Sequence, residues 1–287
     1  MLRKVKGHLW AKSGLENAVW DWFAKRKKKS LSNMLGGYKS KVSVGVSVGI
    51  EEKIEDLLNK VEGYVEEGYN RIKVKIKPGW DIKPVSTIRK RWDNICLQVD
   101  ANCSFSLKDL GLFKELDQYS LSLIEQPFHE ENFLDHATLQ SQLKTPICLD
   151  DSITSIELVK LSISLNSCKI INIKPGRLGG LANAKEVNDY CFTQRIPVWC
   201  GGMLESNIGR AHNLALASLI NFSLPSDISA SSRYYKEDIA YPNFLLRGDS
   251  TIDVPESPGI GVEVDVEKLK KFRVRFYSTE NTYGKQY

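Results

Sequence analysis

Three carboxylates in this chain are evenly spaced. Asp100, Glu125 and Asp150 each stand 25 residues from the next. Each directly follows a short β-rich run, at 95–99, 121–124 and 146–149. Lysines flank them in sequence. Lys73 and Lys75 lie in the run at 71–76, and Lys174 directly follows the run at 169–173. Carboxylates that converge on one point cannot all stay ionised without a cation among them. Hard oxygen ligands select Mg2+, with Mn2+ as a substitute, and leave positions open for substrate oxygens. A lysine beside such a cation and a second lysine has its pKa lowered and can act as a base. The set suits removal of a proton next to a carboxylate: the metal holds the carboxylate and stabilises an enediolate, and one lysine takes the proton. The opposite lysine reprotonates the carbon or stabilises the intermediate as a cation. Ordinary strand-end salt bridges are the plain alternative. They account for one such acid more easily than for charged groups on five successive strands.

For these residues to meet, the runs must be parallel strands of one sheet. Further β-rich runs lie at 42–49 and 196–199, and a weaker eighth at 221–224. Helical periodicity fills the gaps at 51–67, 106–116, 153–165 and 182–194. Strand–helix alternation repeated about eight times means a parallel sheet. Eight units in about 190 residues favour a closed (β/α)8 barrel of the TIM type, whose active site forms after the strand ends. The first 40 residues read as helical and stop at Gly36-Gly37. Lys25-Arg26-Lys27-Lys28-Lys29 reads as a solvated helix end. The aromatics Trp10, Trp20 and Trp22 are expected in the core. Beyond about residue 240 turns rich in proline break the rhythm, and a short polar helix follows.

Composition excludes other classes. The chain has 287 residues, 42% of them hydrophobic and 26% charged, as in soluble globular proteins rather than disordered or fibrous ones. Forty basic against 35 acidic residues leave +5, with no concentrated basic face to suggest nucleic acid. No run of 18 apolar residues points to a membrane partner. Met1-Leu2-Arg3-Lys4 leads into no apolar signal stretch, so a cytoplasmic protein is expected. The six cysteines form no C-x-x-C pair and sit mostly in apolar runs, as reduced buried thiols do. Self-association into a homo-oligomer stays open.

Three look-alike motifs weigh less. Gly45-Val-Ser47-Val-Gly49 matches a nucleophile elbow, but Val42, Val44, Val46 and Val48 alternate through it as a strand. His129-Glu130-Glu131 and His136 do not form H-E-x-x-H and read as surface residues. Gly176-Arg-Leu-Gly179-Gly180 is not a dinucleotide fingerprint and reads as the start of a helix at the barrel rim.

Taken together, Lys73-Val-Lys75, Asp100-Ala-Asn102, Glu125-Gln-Pro, Leu-Asp150-Asp151-Ser and Ile-Lys174-Pro-Gly-Arg-Leu-Gly-Gly180 resemble the enolase superfamily, muconate-lactonising subgroup. Within it they are most similar to the o-succinylbenzoate synthase and N-acylamino acid racemase family. Val46-Ser47-Val48-Gly49, Val198-Trp-Cys200-Gly-Gly-Met-Leu-Glu205 and Leu-Pro225-Ser-Asp227-Ile-Ser229 extend the likeness over nearly the whole chain. The resemblance implies Asp100, Glu125 and Asp150 as Mg2+ ligands. It implies Lys75 and Lys174 as the acid–base pair, with Lys73 as electrostatic support. Ser47, Asn102 and the Gly201-Gly202-Met203 backbone would line the pocket for a small carboxylate substrate. Members of the family carry Asp-Glu where this chain has Asp150-Asp151, so Asp151 would orient its neighbour from one methylene further back.

The implied activity is dehydration of a succinyl-hydroxy-cyclohexadiene carboxylate to o-succinylbenzoate, in menaquinone biosynthesis. Racemisation of N-succinylamino or other N-acylamino acids uses the same residues and stands as the alternative. A third reading is an impaired barrel with a non-enzymatic role. It follows from the start of the chain, where Gly7-His8-Leu9-Trp10-Ala11-Lys12 resembles a point late in the family's α+β capping domain. On this resemblance residues 1–40 are a helical remnant of that cap, 41–240 the barrel, and 241–287 a segment that returns to the cap.

Overall fold

The computed structural model describes residues 4–276. Two helices open the chain, α1 (Leu9–Arg26) and α2 (Leu31–Leu35), followed by a short strand β1 (Lys41–Ser43). Alternation then begins with β2 (Val46–Val48), α3 (Ile54–Glu66), β3 (Arg71–Lys75), α4 (Ile82–Arg91) and β4 (Cys96–Asp100). It continues through α5 (Leu110–Leu116), β5 (Leu123–Glu125), α6 (Phe133–Gln142), β6 (Ile147–Leu149), α7 (Ile156–Ser164) and β7 (Ile170–Ile173). Helices α8 (Pro175–Leu178) and α9 (Leu181–Thr193) lead to β8 (Val198–Cys200) and α10 (Asn207–Ala217). The tail carries β9 (Ala240–Tyr241), β10 (Thr251–Asp253), β11 (Glu263–Val264) and α11 (Val266–Phe272).

Strands β2 to β8 form one parallel sheet in chain order. Their outward residues are β-branched or leucine, apart from Cys200, and pack under the helices in one large core, as expected of a sheet buried on both faces. The inward positions differ. Low in the barrel Leu123, Cys148, Ile170 and Trp199 form a small apolar plug, with Trp199 Nε1 donating to Cys148 Sγ at 3.3 Å. Above and beside it the inward residues are charged or amide-bearing.

The expected eighth strand does not form. Pro225 lacks the N–H a ladder needs, and Ser223 N–H turns back to Asn221 O. Residues 222–227 nevertheless join the two edges of the sheet by single bridges. Val198 pairs with Phe222, Val44 pairs with Ser226, and Asp227 N–H donates to Cys200 O. The eight-position ring thus closes with one position made of loop.

The run at 42–49 also divides. Lys41–Ser43 pairs antiparallel with β10, and Val46–Val48 joins the parallel sheet. Gly45 lies at the break, where a Cβ would stand 2.4 Å from Arg71 Nε, so only glycine lets the two strands approach.

Helix α1 ends at Arg26, sooner than a stop at Gly36-Gly37 suggested. Gly36, at φ +87°, ends α2 rather than the first helix. Trp10 lies against Gly176 of α8, where a Cβ would stand 2.0 Å from its ring. The tryptophans differ from expectation: Trp20 packs on the core, but Trp10 and Trp22 are 51% and 55% exposed. Trp22 shares its exposed face of α1 with Leu15 and Val19, whereas Trp10 is the residue that meets α8. The tail returns to this end, with Ile260 N–H donating to Asp21 Oδ1 and Leu31 N–H to Gly259 O. Among the described residues no helix is long and apolar enough to cross a membrane.

Candidate active site

Inward residues on successive strands bring the charged groups together. The register sets Lys75 beside Asp100 and Asp100 beside Glu125, and Asp150 directly follows β6. Lys174 directly follows β7, four ring positions from β3, so Lys75 and Lys174 face each other across the acids.

Lys73 lies deepest. Its ammonium reaches Glu125 at 2.7 Å, Asp227 at 2.8 Å and Asp100 at 3.3 Å, and stands 4.8 Å above the Trp199 ring. Burial pulls its pKa down, but Asp227, Glu125 and Asp100 outweigh that and hold it well above the usual lysine value. Lys73 is therefore a fixed cation.

Glu125 shows the opposite balance. Burial and the nearby Asp100 push its carboxyl up to about 8 against the pull of Lys73, with Asp150 adding to the push. Asn172 Nδ2 donates to it at 2.8 Å, while Asn172 Oδ1 is left without a partner. Asp100 is held low: burial raises it, but Lys73 and Lys75 and the Asn102 N–H outweigh that.

Lys75 contacts Asp100 at 3.2 Å and Asn102 Oδ1. Lys174 contacts Asp150 at 2.7 Å, and Arg177 bridges Asp150 and Asp151, reaching the latter at 2.6 Å. At Lys174 burial lowers the pKa, but Asp150 and Glu125 outweigh that and raise it above the usual lysine value. Gln126, fully buried at φ +40°, sets the β6 end: its Oε1 accepts from Asp150 N–H at 2.9 Å and its Nε2 donates to Ser152 Oγ at 2.8 Å.

The arrangement fits a divalent cation by the chemistry of its donors. Three oxygen-bearing acids stand at adjacent strand ends, and Glu125 is driven up by burial and then by the charge of the other two. They are not gathered at ligating distance: among the described residues no three His, Cys, Asp or Glu side chains are. Each is drawn instead to an ammonium or guanidinium group.

The other expected residues are spread along the same wall. Ser47 Oγ donates to Asp227 Oδ2 at 2.9 Å. Gly201 adjoins Asn172 and Lys174, and Gly202 lies against the Asp227 carbonyl, so neither position has room for a Cβ. Met203 lines a cavity with Lys174 and Gly201, and its N–H donates to Glu205 at 2.7 Å.

Comparison with known proteins fits this geometry. Residues 56–269 match the family of enolase C-terminal domain-like proteins. The chain belongs to the enolase superfamily. Among superfamily members it is 50% identical over 271 residues to an o-succinylbenzoate synthase of Bacillus subtilis, covering 94% of this chain and 72% of that protein. It is also 50% identical to an N-succinylamino acid racemase of Amycolatopsis, covering 91% of this chain and 71% of that one. A superfamily structure from Listeria innocua superposes with a TM-score of 0.90 at 47% identity, over 94% of this chain and 72% of that one.

Five residues at the candidate site had no role assigned from the sequence: Arg71, Gln126, Asn172, Arg177 and Asp227. Period-2 counting from Lys73 and Lys174 reaches Arg71 and Asn172. Asp227 stands three residues beyond the weak eighth run, not directly after it as the other acids stand after theirs. Arg177 stands three residues after Lys174, one turn along the rim. His136 departs from its surface reading: it is fully buried, accepting the Phe128 N–H at 3.2 Å, because α6 packs it under the loop after β5. His129 is exposed, as read. All six cysteines are free, four of them buried and Cys96 and Cys103 half-buried.

Proposed function

We propose that this chain is an o-succinylbenzoate synthase. It would remove the proton α to the carboxylate of 2-succinyl-6-hydroxy-2,4-cyclohexadiene-1-carboxylate and expel the hydroxyl group. The observation that carries the reading is the pair Lys75 and Lys174, facing each other across Asp100, Glu125 and Asp150.

Asp100, Glu125 and Asp150 would hold Mg2+, or Mn2+ in its place. When bound, the ion supplies positive charge that fixes the substrate carboxylate and stabilises the enediolate. Lys75 takes the α-proton. Lys174, as an ammonium, stabilises the developing negative charge from the opposite face. The hydroxyl leaves from the Lys75 face, where the proton just taken can be returned to it to release water. Lys73 stays charged and offsets the acids without moving a proton. Arg177 and Gln126 position Asp150. Residues 41–240 carry this chemistry, in the cytoplasm, and the segments before and after them wall the α1 side.

A second reading shares the same residues. With a lysine on each face of the α-carbon, the site can also invert an N-succinylamino acid. The relative that racemises such substrates supports it as strongly by identity.

The test is direct. Purified protein with Mg2+ should convert the cyclohexadiene carboxylate to the aromatic product, followed by ultraviolet absorbance. It should also exchange the α-proton of an N-succinylamino acid in deuterated water. Conversion without exchange leaves the synthase alone. Neither reaction, from a folded protein, leaves the impaired barrel.

A further inference from the structure

Asn172 takes no part in the proton transfers above, yet its amide stands between two groups that carry the chemistry. It lies on β7, is 1% exposed, and shares the inward side of the strand with Lys174 two residues on. Its Nδ2 donates to Glu125 Oε1 at 2.8 Å, while its Oδ1 is buried without a partner among the described residues. The two ends of the amide are not interchangeable. Glu125 as an ionised ligand only accepts hydrogen bonds, so Nδ2 must face it and Oδ1 must point away. Gly201 marks where Oδ1 goes. A Cβ there would stand 2.2 Å from Asn172 Oδ1 and 2.6 Å from Lys174 Cε, so the two atoms are neighbours over the bare glycine. A buried acceptor left empty is costly and calls for an explanation.

Lys174 supplies one. Its side chain is 13% exposed, and its ammonium meets one carboxylate among the described residues, Asp150 at 2.7 Å. A divalent cation on Asp150 repels an ammonium on the same carboxylate. Lys174 then needs another acceptor. The other acids around it are engaged. Asp151 is held by Arg177 at 2.6 Å, and Glu125 by Lys73 at 2.7 Å and by Asn172 itself. Glu205 is held by the Met203 N–H at 2.7 Å and by Asn213 at 3.2 Å. Asn172 Oδ1 is the acceptor left.

We propose that Asn172 is a positioning residue with two ends: Nδ2 holds Glu125, and Oδ1 takes over the Lys174 ammonium when Asp150 turns to the metal. The inference rests on the function proposed above and deepens it. A neutral amide oxygen fixes an ammonium without cancelling its charge, whereas a carboxylate cancels it. Lys174 thereby keeps its charge for the enediolate. Position 201 must be glycine for the same reason, since any side chain would part the pair.

The first readout needs no substrate. In protein with isotope-labelled lysine nitrogens, nuclear magnetic resonance follows how fast the Lys174 ammonium exchanges hydrogens with water. Its signal is the one lost in Lys174→Ala. Without Mg2+ the unaltered protein and Asn172→Ala should agree, because Asp150 holds the ammonium in both. With saturating Mg2+ the exchange in Asn172→Ala should be at least about tenfold faster, the worth of one hydrogen bond to a charged group. Equal rates with Mg2+ overturn the proposal. The second readout separates the two ends. Loss of the hold on Glu125 slows α-proton exchange of both enantiomers of an N-succinylamino acid alike. Loss of the hold on Lys174 slows only the enantiomer that Lys174→Ala abolishes. The ratio of the two rates in Asn172→Ala should therefore shift about tenfold against that enantiomer. An unchanged ratio overturns the proposal and leaves Asn172 acting through Glu125 alone. If Asn172→Ala does not fold, Asn172→Leu, of similar size, carries both measurements. Exchange of neither enantiomer by the unaltered protein removes the proposed function, and the substrate-free readout still decides the role of Asn172.

Discussion

The two lysines make the sharpest claim at the scale of single residues, because each serves one face of the substrate. Lys174→Ala should abolish racemisation of an N-succinylamino acid. The enantiomer whose α-proton faces Lys75 should still exchange with deuterated water, and the other should not. Lys75→Ala should give the mirror result. Equal loss for both enantiomers in either variant would mean one lysine serves both faces. Asp150 carries a second prediction. Its carboxylate meets Lys174 and Arg177 and follows β6 beside Glu125. Asp150→Asn removes a hard anionic ligand but keeps the side-chain shape. Calorimetric titration should show Mg2+ affinity reduced at least about tenfold, since even groups that only orient a ligand cost that much when lost. Unchanged affinity in a variant that still unfolds cooperatively would remove Asp150 from the metal site.

At the scale of elements, the loop after β5 depends on one buried histidine. His136 of α6 accepts the Phe128 N–H through Nε2, and its Nδ1 lies 2.7 Å from Asn132 O, so the neutral ring fits both. Burial lowers its pKa from 6.5 to about 4. The unfolded chain therefore binds the proton more readily than the folded one. The stability due to this group is complete above about pH 6.5 and is lost as pH falls through about 4, a span worth up to about 3 kcal/mol. Thermal unfolding between pH 7 and 4 should show that slope, and His136→Gln should flatten it. The same element shows what the sequence conceals. Strands buried on both faces read plainly as β-branched runs, and the acids and lysines after them were legible by spacing alone. His136 was not, since one polar residue carries no mark of which side of its helix is covered. The eighth position was overread because Asn221 to Leu224 is apolar enough for a strand while Pro225 denies the ladder. Arg71 and Asp227 were passed over because each looks like a surface charge until closure of the ring sets one against the other.

The helices bury the outward face of the barrel, but the α1 end of the molecule is uneven. Ser13 and Ala24 are the buried positions of α1, and the helix is held by Trp10 on Gly176, Glu16 on the Ala182 N–H and Asp21 on the Ile260 N–H. On its other side Leu15, Val19 and Trp22 recur at helix spacing and are 59%, 60% and 55% exposed. Apolar side chains this open add little to folding, whereas a contiguous set of them is a surface that other apolar matter will bind. The two effects can be separated. In the double variant Leu15→Glu with Val19→Lys, neither change reaches the core, and the pair keeps opposite charges at i and i+4. The unfolding free energy should therefore stay within about 0.5 kcal/mol of the unaltered protein. Binding of a hydrophobic dye to the folded state should fall sharply, with activity on the cyclohexadiene carboxylate preserved because α8, not this face, adjoins Lys174. A large loss of stability would show instead that Leu15 and Val19 are packed in solution, and unchanged dye binding would move the apolar surface elsewhere on the molecule.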